Sequence, residues 1–161
     1  MMKKEKMRLY LDDVRTPLNP NNESAGDIPQ WQVVRTYEEF VAHIRLNGLQ
    51  NYEVISLDHD LGKQAMEEYY NNVHPNYTLN YDNIVNEKTG YDAAKWLVAE
   101  SMKTETPLPA VYVHSANPIG SANIMGYINN YLMNCRLPQT CVRVKIPHKI
   151  EGHDYENNEL K

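Results

Sequence analysis

The stretch Val54-Ile55-Ser56-Leu57-Asp58-His59-Asp60-Leu61-Gly62 decides the fold. Val54, Ile55 and Leu57 surround one small polar residue, Ser56. A short apolar run of this kind suits a parallel strand covered on both faces. The chemistry then changes abruptly: Asp58, His59 and Asp60 end the strand, and Gly62 supplies a turn. In open α/β sheets, ligands bind beyond the carboxyl ends of the strands. Two carboxylates and an imidazole at that place mark where chemistry is expected.

Outward from this strand the same design recurs. Residues 7–11, Met7-Arg8-Leu9-Tyr10-Leu11, read as a first strand that ends on Asp12-Asp13, followed by Val14-Arg15-Thr16-Pro17. Residues 31–35 read as the second strand and 53–58 as the third. Residues 110–113 form the fourth, which ends on His114-Ser115-Ala116-Asn117-Pro118. Residues 141–146 are the fifth, with Lys145 near its end and Pro147 behind it. Three helices are predicted between them. Thr36 with Glu39 forms a capping box for the first, which turns Phe40, Val41, Ile44 and one of Leu46 or Leu49 inward and stops near Asn47-Gly48. Thr89-Gly90-Tyr91-Asp92 opens the second, which reaches about Met102 and packs through Ala93, Ala94, Trp96, Leu97 and Ala99. The third spans about Ile119 to Asn134, with Ile124, Ile128, Tyr131 and Leu132 inward and Gly120, Ala122 and Gly126 allowing close backbone approach.

This alternation predicts an α/β domain over residues 1–161. Its sheet is five-stranded, mostly parallel and flavodoxin-like, in the order 2-1-3-4-5, flanked by helices with right-handed crossovers. Residues 16–30, rich in Pro and Asn, read as a loop. Residues 63–88 form a long polar connection placed to cover the site as a lid. Residues 151–161 read as a polar tail.

Composition bounds the partners. The chain has 161 residues, 42% hydrophobic and 23% charged, enough for one domain with a proper core. A net charge of −5 argues against duplex DNA as a partner, which needs a basic surface, and leaves room for a single nucleotide. Twelve Tyr against one Phe suit a wet cleft. Cys135 and Cys141 lack the number and spacing of a zinc site or disulfide framework and read as reduced packing residues. The basic start, Met1-Met2-Lys3-Lys4-Glu5-Lys6, leads into an apolar run that meets Asp12-Asp13 at once. That is neither a secretory segment nor a membrane span, so a cytoplasmic location is expected.

In the predicted order the strand tips converge, and the residue types assign roles. Like charges held as close as Asp12 and Asp13 raise each other's pKa or need a cation, and with Asp58 their oxygens suit a divalent one. His59 or His114 is the general acid or base, with Asp60 and Ser115 beside them as further catalytic candidates. Arg15, Arg35, Asn117, Lys145 and the Ser115 hydroxyl are suited to phosphoryl oxygens.

The order of Asp12-Asp13, Asp58, Ser115 and Lys145 before Pro147 resembles response-regulator receiver domains, and the resemblance extends from Leu9 to Pro147. In those domains an acidic pair binds Mg²⁺, a central Asp accepts a phosphoryl group, and a Ser or Thr and a Lys contact it. The chain departs from that pattern at His59-Asp60, at the histidine of His114-Ser115, in the Pro-rich first crossover and in residues 63–88. These departures resemble the cyclic-phosphate processing receiver-like domain. Its hallmarks stand here as Leu11-Asp12-Asp13-Val14-Arg15-Thr16-Pro17, Leu57-Asp58-His59-Asp60-Leu61-Gly62, Thr89-Gly90-Tyr91-Asp92 and His114-Ser115-Ala116-Asn117-Pro118.

Two functions follow. One is a hydrolase dependent on Mg²⁺ or Mn²⁺ that acts on a cyclic phosphate of a small nucleotide or an RNA end, one imidazole taking a proton from water and the other protonating the leaving oxygen. The alternative is a receiver-like phosphoacceptor at Asp58 or a nucleotide-binding signalling module. The surplus imidazoles favour the enzyme, because ester hydrolysis needs proton transfer to an alkoxide and phosphoacceptance does not.

Overall fold

The four strands β1 (Met7–Leu11), β2 (Trp31–Val34), β3 (Tyr52–Leu57) and β4 (Ala110–Val113) make one parallel sheet in the order β2-β1-β3-β4. The structure, a computed structural model, describes residues 4–17, 31–139, 141 and 143–145. The central strands β1 and β3 end in fully buried residues, Leu9 and Leu11 in one and Ile55 and Leu57 in the other. Tyr10 and Ser56, the residues between these aliphatic pairs, are buried as well, so both faces of the two strands are covered.

The helices are α1 (Tyr37–Asn47), α2 (Lys63–Glu68), α3 (His74–Asn76), α4 (Gly90–Thr104) and α5 (Pro118–Asn134). One core cluster joins Phe40 and Ile44 of α1, Ala94 and Leu97 of α4, and Ile124 and Ile128 of α5 to the sheet. Thr36 caps α1 by accepting from Glu39 N, but the Glu39 carboxylate accepts from Arg35 N, one residue before the cap. Gly48, at φ 84°, closes that helix as Asn47-Gly48 predicts. Thr89 and Asp92 form the full capping box of α4.

Several expectations are corrected. The fifth strand is reduced, among the described residues, to a single parallel bridge between Lys145 and Tyr112, held by Val113 N to Lys145 O and Lys145 N to Val111 O, each 3.0 Å. Residues 142 and 146 of that prediction lie outside the described residues, as do most of the 16–30 loop and the whole 151–161 tail. Leu49 is buried while Leu46 is exposed, and Val98 rather than Ala99 faces the core from α4. A Cβ on Gly126 would meet nothing within 4 Å, so that glycine serves no close approach.

Residues 63–88 are not a featureless connection. α2 continues through a wide π-type turn, Tyr69–Val73, into α3, and a short 3₁₀ turn follows at Tyr81–Asn83. Its buried residues are few, Ala65, Glu68, Val73 and Ile84, so hydrophobic periodicity is weak. The buried Glu68 carboxylate organises the segment. It accepts from Asn72 Nδ2 at 2.7 Å, Asn83 Nδ2 at 2.7 Å and Asn80 N at 3.3 Å. No helix among the described residues is long and apolar enough to cross a membrane.

Candidate active site

The register places the site. Leu11 pairs with Val34 and with Leu57, and Leu57 pairs with Val113, so the last residues of all four strands lie side by side. The ladder extends one step further through Asp12 N to Val34 O, Asp58 N to Leu11 O and His114 N to Leu57 O. Arg35, Asp12, Asp58 and His114 therefore stand in one row at the carboxyl edge of the sheet.

Asp12, fully buried, is held from four directions. Oδ1 accepts from Val14 N (2.9 Å) and Arg15 N (2.7 Å), and Oδ2 from Arg15 Nε (2.7 Å) and His114 Nε2 (3.1 Å). Burial would raise its carboxyl, but the bonds from His114 and Arg15 and the Arg15 charge outweigh it and hold Asp12 below the usual range. A carboxylate only accepts, so the His114 proton is on Nε2. Its Nδ1 then accepts from the Ser56 hydroxyl at 2.7 Å. This contact explains the one polar residue in β3. The imidazole also stacks on Tyr10, centroids 4.1 Å apart. Burial pushes His114 down to about 4 against the pull of Asp12, so the ring is neutral at ordinary pH.

Asp58 is also buried, and its Oδ1 accepts from His59 N (2.8 Å) and lies 3.1 Å from Arg15 Nη2. Burial and the neighbouring Asp12 push it well above the carboxylate range, with Arg15 opposing. Burial and Asp12 also raise Asp13. The Arg15 guanidinium thus bridges Asp12 and Asp58. Asp12, Asp13 and Asp58 each offer one oxygen, all within 4.8 Å of one another. Three hard oxygen donors fit a metal ion of the hard, divalent type. Because Asp12 already accepts four hydrogen bonds, an ion binding there must displace a contact to Val14, Arg15 or His114.

A second chain of contacts runs behind Asp60. His59 Nδ1 donates to Asp60 Oδ1 at 2.6 Å, and Asn117 Nδ2 donates to the same oxygen at 3.1 Å. The other His59 nitrogen lies 2.9 Å from the Tyr81 hydroxyl, which accepts from Asn123 Nδ2 at 3.1 Å. Burial pushes Tyr81 up to about 12, so this hydroxyl stays protonated. Two glycines make room. A Cβ on Gly120 would overlap the His59 ring, and one on Gly90 would overlap the Asp58 carbonyl oxygen. Gly90 N donates to His59 O at 2.8 Å, which is why Thr89-Gly90 must lie against this strand tip.

A cavity of about 190 Å³ opens on the row, lined by Asp13, Arg15, Asp58, Asp60 and Ser115 at its polar end and by Val14, Met66, Tyr69, Tyr70 and Ala116 at the other. Of the residues singled out in the sequence, these polar five line it. Asp12, His59 and His114 lie behind them, each buried. Arg35 turns to the loop after β1, donating to Asp12 O (3.1 Å), Arg15 O (2.6 Å) and Thr16 Oγ1 (2.9 Å). Asn117 caps α5 through Gly120 N and is buried. Lys145 is exposed and does not line the cavity. Sequence reasoning missed the Tyr81–Asn123 support of His59. Asn123 carries no signal for it, being one of many polar residues on α5. Met66, Tyr69 and Tyr70 could have been found from the tyrosine excess in the segment directly after Asp60.

A family model described as the cyclic-phosphate processing receiver domain matches residues 7–130. No curated protein and no solved structure matches the chain significantly.

Proposed function

From the premise that this chain belongs to the cyclic-phosphate processing receiver domain family, we propose that it is a metal-dependent phosphoesterase that opens the cyclic phosphate of a nucleotide or RNA end. The observation that carries the reading is one cavity in which Asp13 and Asp58, two of three carboxylates able to share a cation, meet a guanidinium, a hydroxyl and a further carboxylate, Asp60, with Asp12, the third, directly behind them. Asp12, Asp13 and Asp58 would hold a divalent cation, Mg²⁺ or Mn²⁺, which would supply Lewis-acid polarisation of the phosphoryl group and a more acidic water.

The chain's own residues do the rest. Arg15 and Ser115 bind and orient the phosphoryl oxygens, since a guanidinium and a hydroxyl match them in charge and geometry. Asp60 takes a proton from water as the water oxygen bonds to phosphorus. The bond from phosphorus to one ring oxygen breaks, that oxygen takes the proton back from Asp60, and a phosphate monoester leaves. Neither imidazole reaches the cavity, so the acid–base roles first expected of His59 and His114 pass to Asp60. His59 and Asn117 act through Asp60 by fixing its orientation, and His114 acts through Asp12. Arg35 holds the loop that carries Arg15, and Lys145 contributes positive charge at longer range.

A phosphoacceptor role for Asp58 fits less well. Its Oδ1 is taken by Arg15 and by His59 N, and the side chain is 6% exposed. The test is Asp60→Asn, which keeps shape and removes the proton acceptor. Turnover of a cyclic phosphate is expected to fall by roughly a hundredfold or more, with the circular dichroism spectrum unchanged. Unchanged turnover would remove Asp60 from the chemistry.

A further inference from the structure

The cavity has an apolar end that the proposed reaction does not use. Met66, Tyr69 and Tyr70 stand there, spaced to share one face of α2 and the π-type turn that continues it. The face is unusually exposed for such residues, with Tyr70 at 63% and Met66 at 37%. The rings of Tyr69 and Tyr70 meet edge to face, 5.2 Å apart at 80°, and so form a corner. π-type turns inside helices are frequent at functional sites.

This wall is built and anchored. Glu68, on the same helical run, is buried under bonds from Asn72, Asn80 and Asn83. At the other end, the Glu87 carboxylate accepts from Gln64 N at 2.7 Å and Ala65 N at 3.1 Å. The aromatic corner is therefore held in place before a ligand arrives, which reduces the ordering that binding requires. A cavity of about 190 Å³ with an ionic end and an aromatic end suits a small ester joined to one planar group.

We propose that Met66, Tyr69 and Tyr70 form a base subsite, which takes the planar nucleobase of a nucleoside whose cyclic phosphate lies against Arg15, Asp60 and Ser115. The proposal rests on the phosphoesterase reading and gives the nucleobase of its substrate a place at the apolar end of the cavity. Rings stack on any base. Among the described residues the apolar end, Val14, Met66, Tyr69, Tyr70 and Ala116, offers no Asn or Gln side chain to read a base edge, so weak discrimination among bases is expected.

The test compares adenosine 2′,3′-cyclic phosphate with ethylene phosphate, a five-membered cyclic ester without a base, in the presence of Mn²⁺. The wild-type protein is expected to prefer the nucleoside in kcat/KM. Tyr70→Ala is expected to lower that preference roughly tenfold, with Tyr70→Phe retaining it and Tyr69→Ala as a second variant. Equal use of the two esters by the wild type, or a preference unchanged in both alanine variants, overturns the base subsite alone. Turnover of neither ester overturns the phosphoesterase reading and the subsite together.

Discussion

Arg15 is the counter-ion of two buried carboxylates, so replacing it by Gln should both weaken the fold and make a divalent cation more welcome. The guanidinium lies 2.7 Å from Asp12 Oδ2 and 3.1 Å from Asp58 Oδ1, and the three side chains are 8%, 0% and 6% exposed. Breaking a buried ion pair by removing one partner costs about 3–5 kcal/mol, because the other charge stays buried. For a domain of this size about 1 kcal/mol moves Tm by roughly 2–4 °C, so Arg15→Gln should melt about 6–20 °C lower. Relief is available in two ways: Asp58 takes up a proton, or a cation replaces the guanidinium. Thermal melts with Mg²⁺, Mn²⁺ or chelator separate these. The variant should recover more of its Tm on adding cation than the wild type gains, and Mn²⁺ titration followed by electron paramagnetic resonance should show tighter binding. Arg35→Gln, whose side chain bonds the carbonyls of Asp12 and Arg15 and the Thr16 hydroxyl and neither carboxylate among the described residues, is the control and should show no such gain. An Arg15→Gln protein with the wild-type Tm and the wild-type cation shift would refute the idea that Arg15 and a metal ion compete for the same oxygens.

Other expectations follow from the same contacts. His114→Ala leaves Asp12 and Ser56 without their shared partner and opens a gap under Tyr10, so urea unfolding should show a loss of about 2–4 kcal/mol. Gly126→Ala should stabilise α5 by about 0.5–1 kcal/mol because its Cβ meets nothing, whereas Gly120→Ala should displace His59 and reduce turnover; thermal melts and kinetics on the pair check both. Burial opposes the ionised form of Glu68, but bonds from Asn83, Asn72 and Asn80 outweigh it and lower its acidity range. Its contribution is therefore complete above the unfolded value of about 4.3 and is lost as pH falls through the lower folded value. Hydrogen exchange should then show residues 63–83 opening in acid before the sheet does, and Glu68→Gln should weaken that dependence.

Much of the site was legible because strand tips obey simple rules. The largely apolar stretches Leu9-Tyr10-Leu11 and Ile55-Ser56-Leu57 suit the middle of a parallel sheet, and a shared register then brought Asp12, Asp58 and His114 into one row. Rotamers were not legible. His59 follows Asp58 directly, yet its ring turns under Gly120 towards Tyr81, a choice set by a helix more than fifty residues away. Arg15 reads as a phosphate ligand from its type, while the fold gives it a carboxylate on either side before any phosphate is present. The helix at residues 63–68 was hidden for a different reason. Its buried face contains a charged residue, Glu68, satisfied by three asparagines that look like loop composition in the sequence. Lys145 shows the limit of family pattern. The backbone forms the expected bridge to Tyr112, but the side chain does not line the cavity.

The most direct measurement is a phosphorus NMR time course of the wild-type protein with a nucleoside 2′,3′-cyclic phosphate, run with Mg²⁺ or Mn²⁺ and again with chelator. A phosphoesterase centred on Asp12, Asp13, Asp58 and Asp60 converts the cyclic signal to a monoester only when the cation is present. A cyclic signal that persists under both conditions across a panel of nucleosides, or a monoester that forms as fast in chelator, would contradict it.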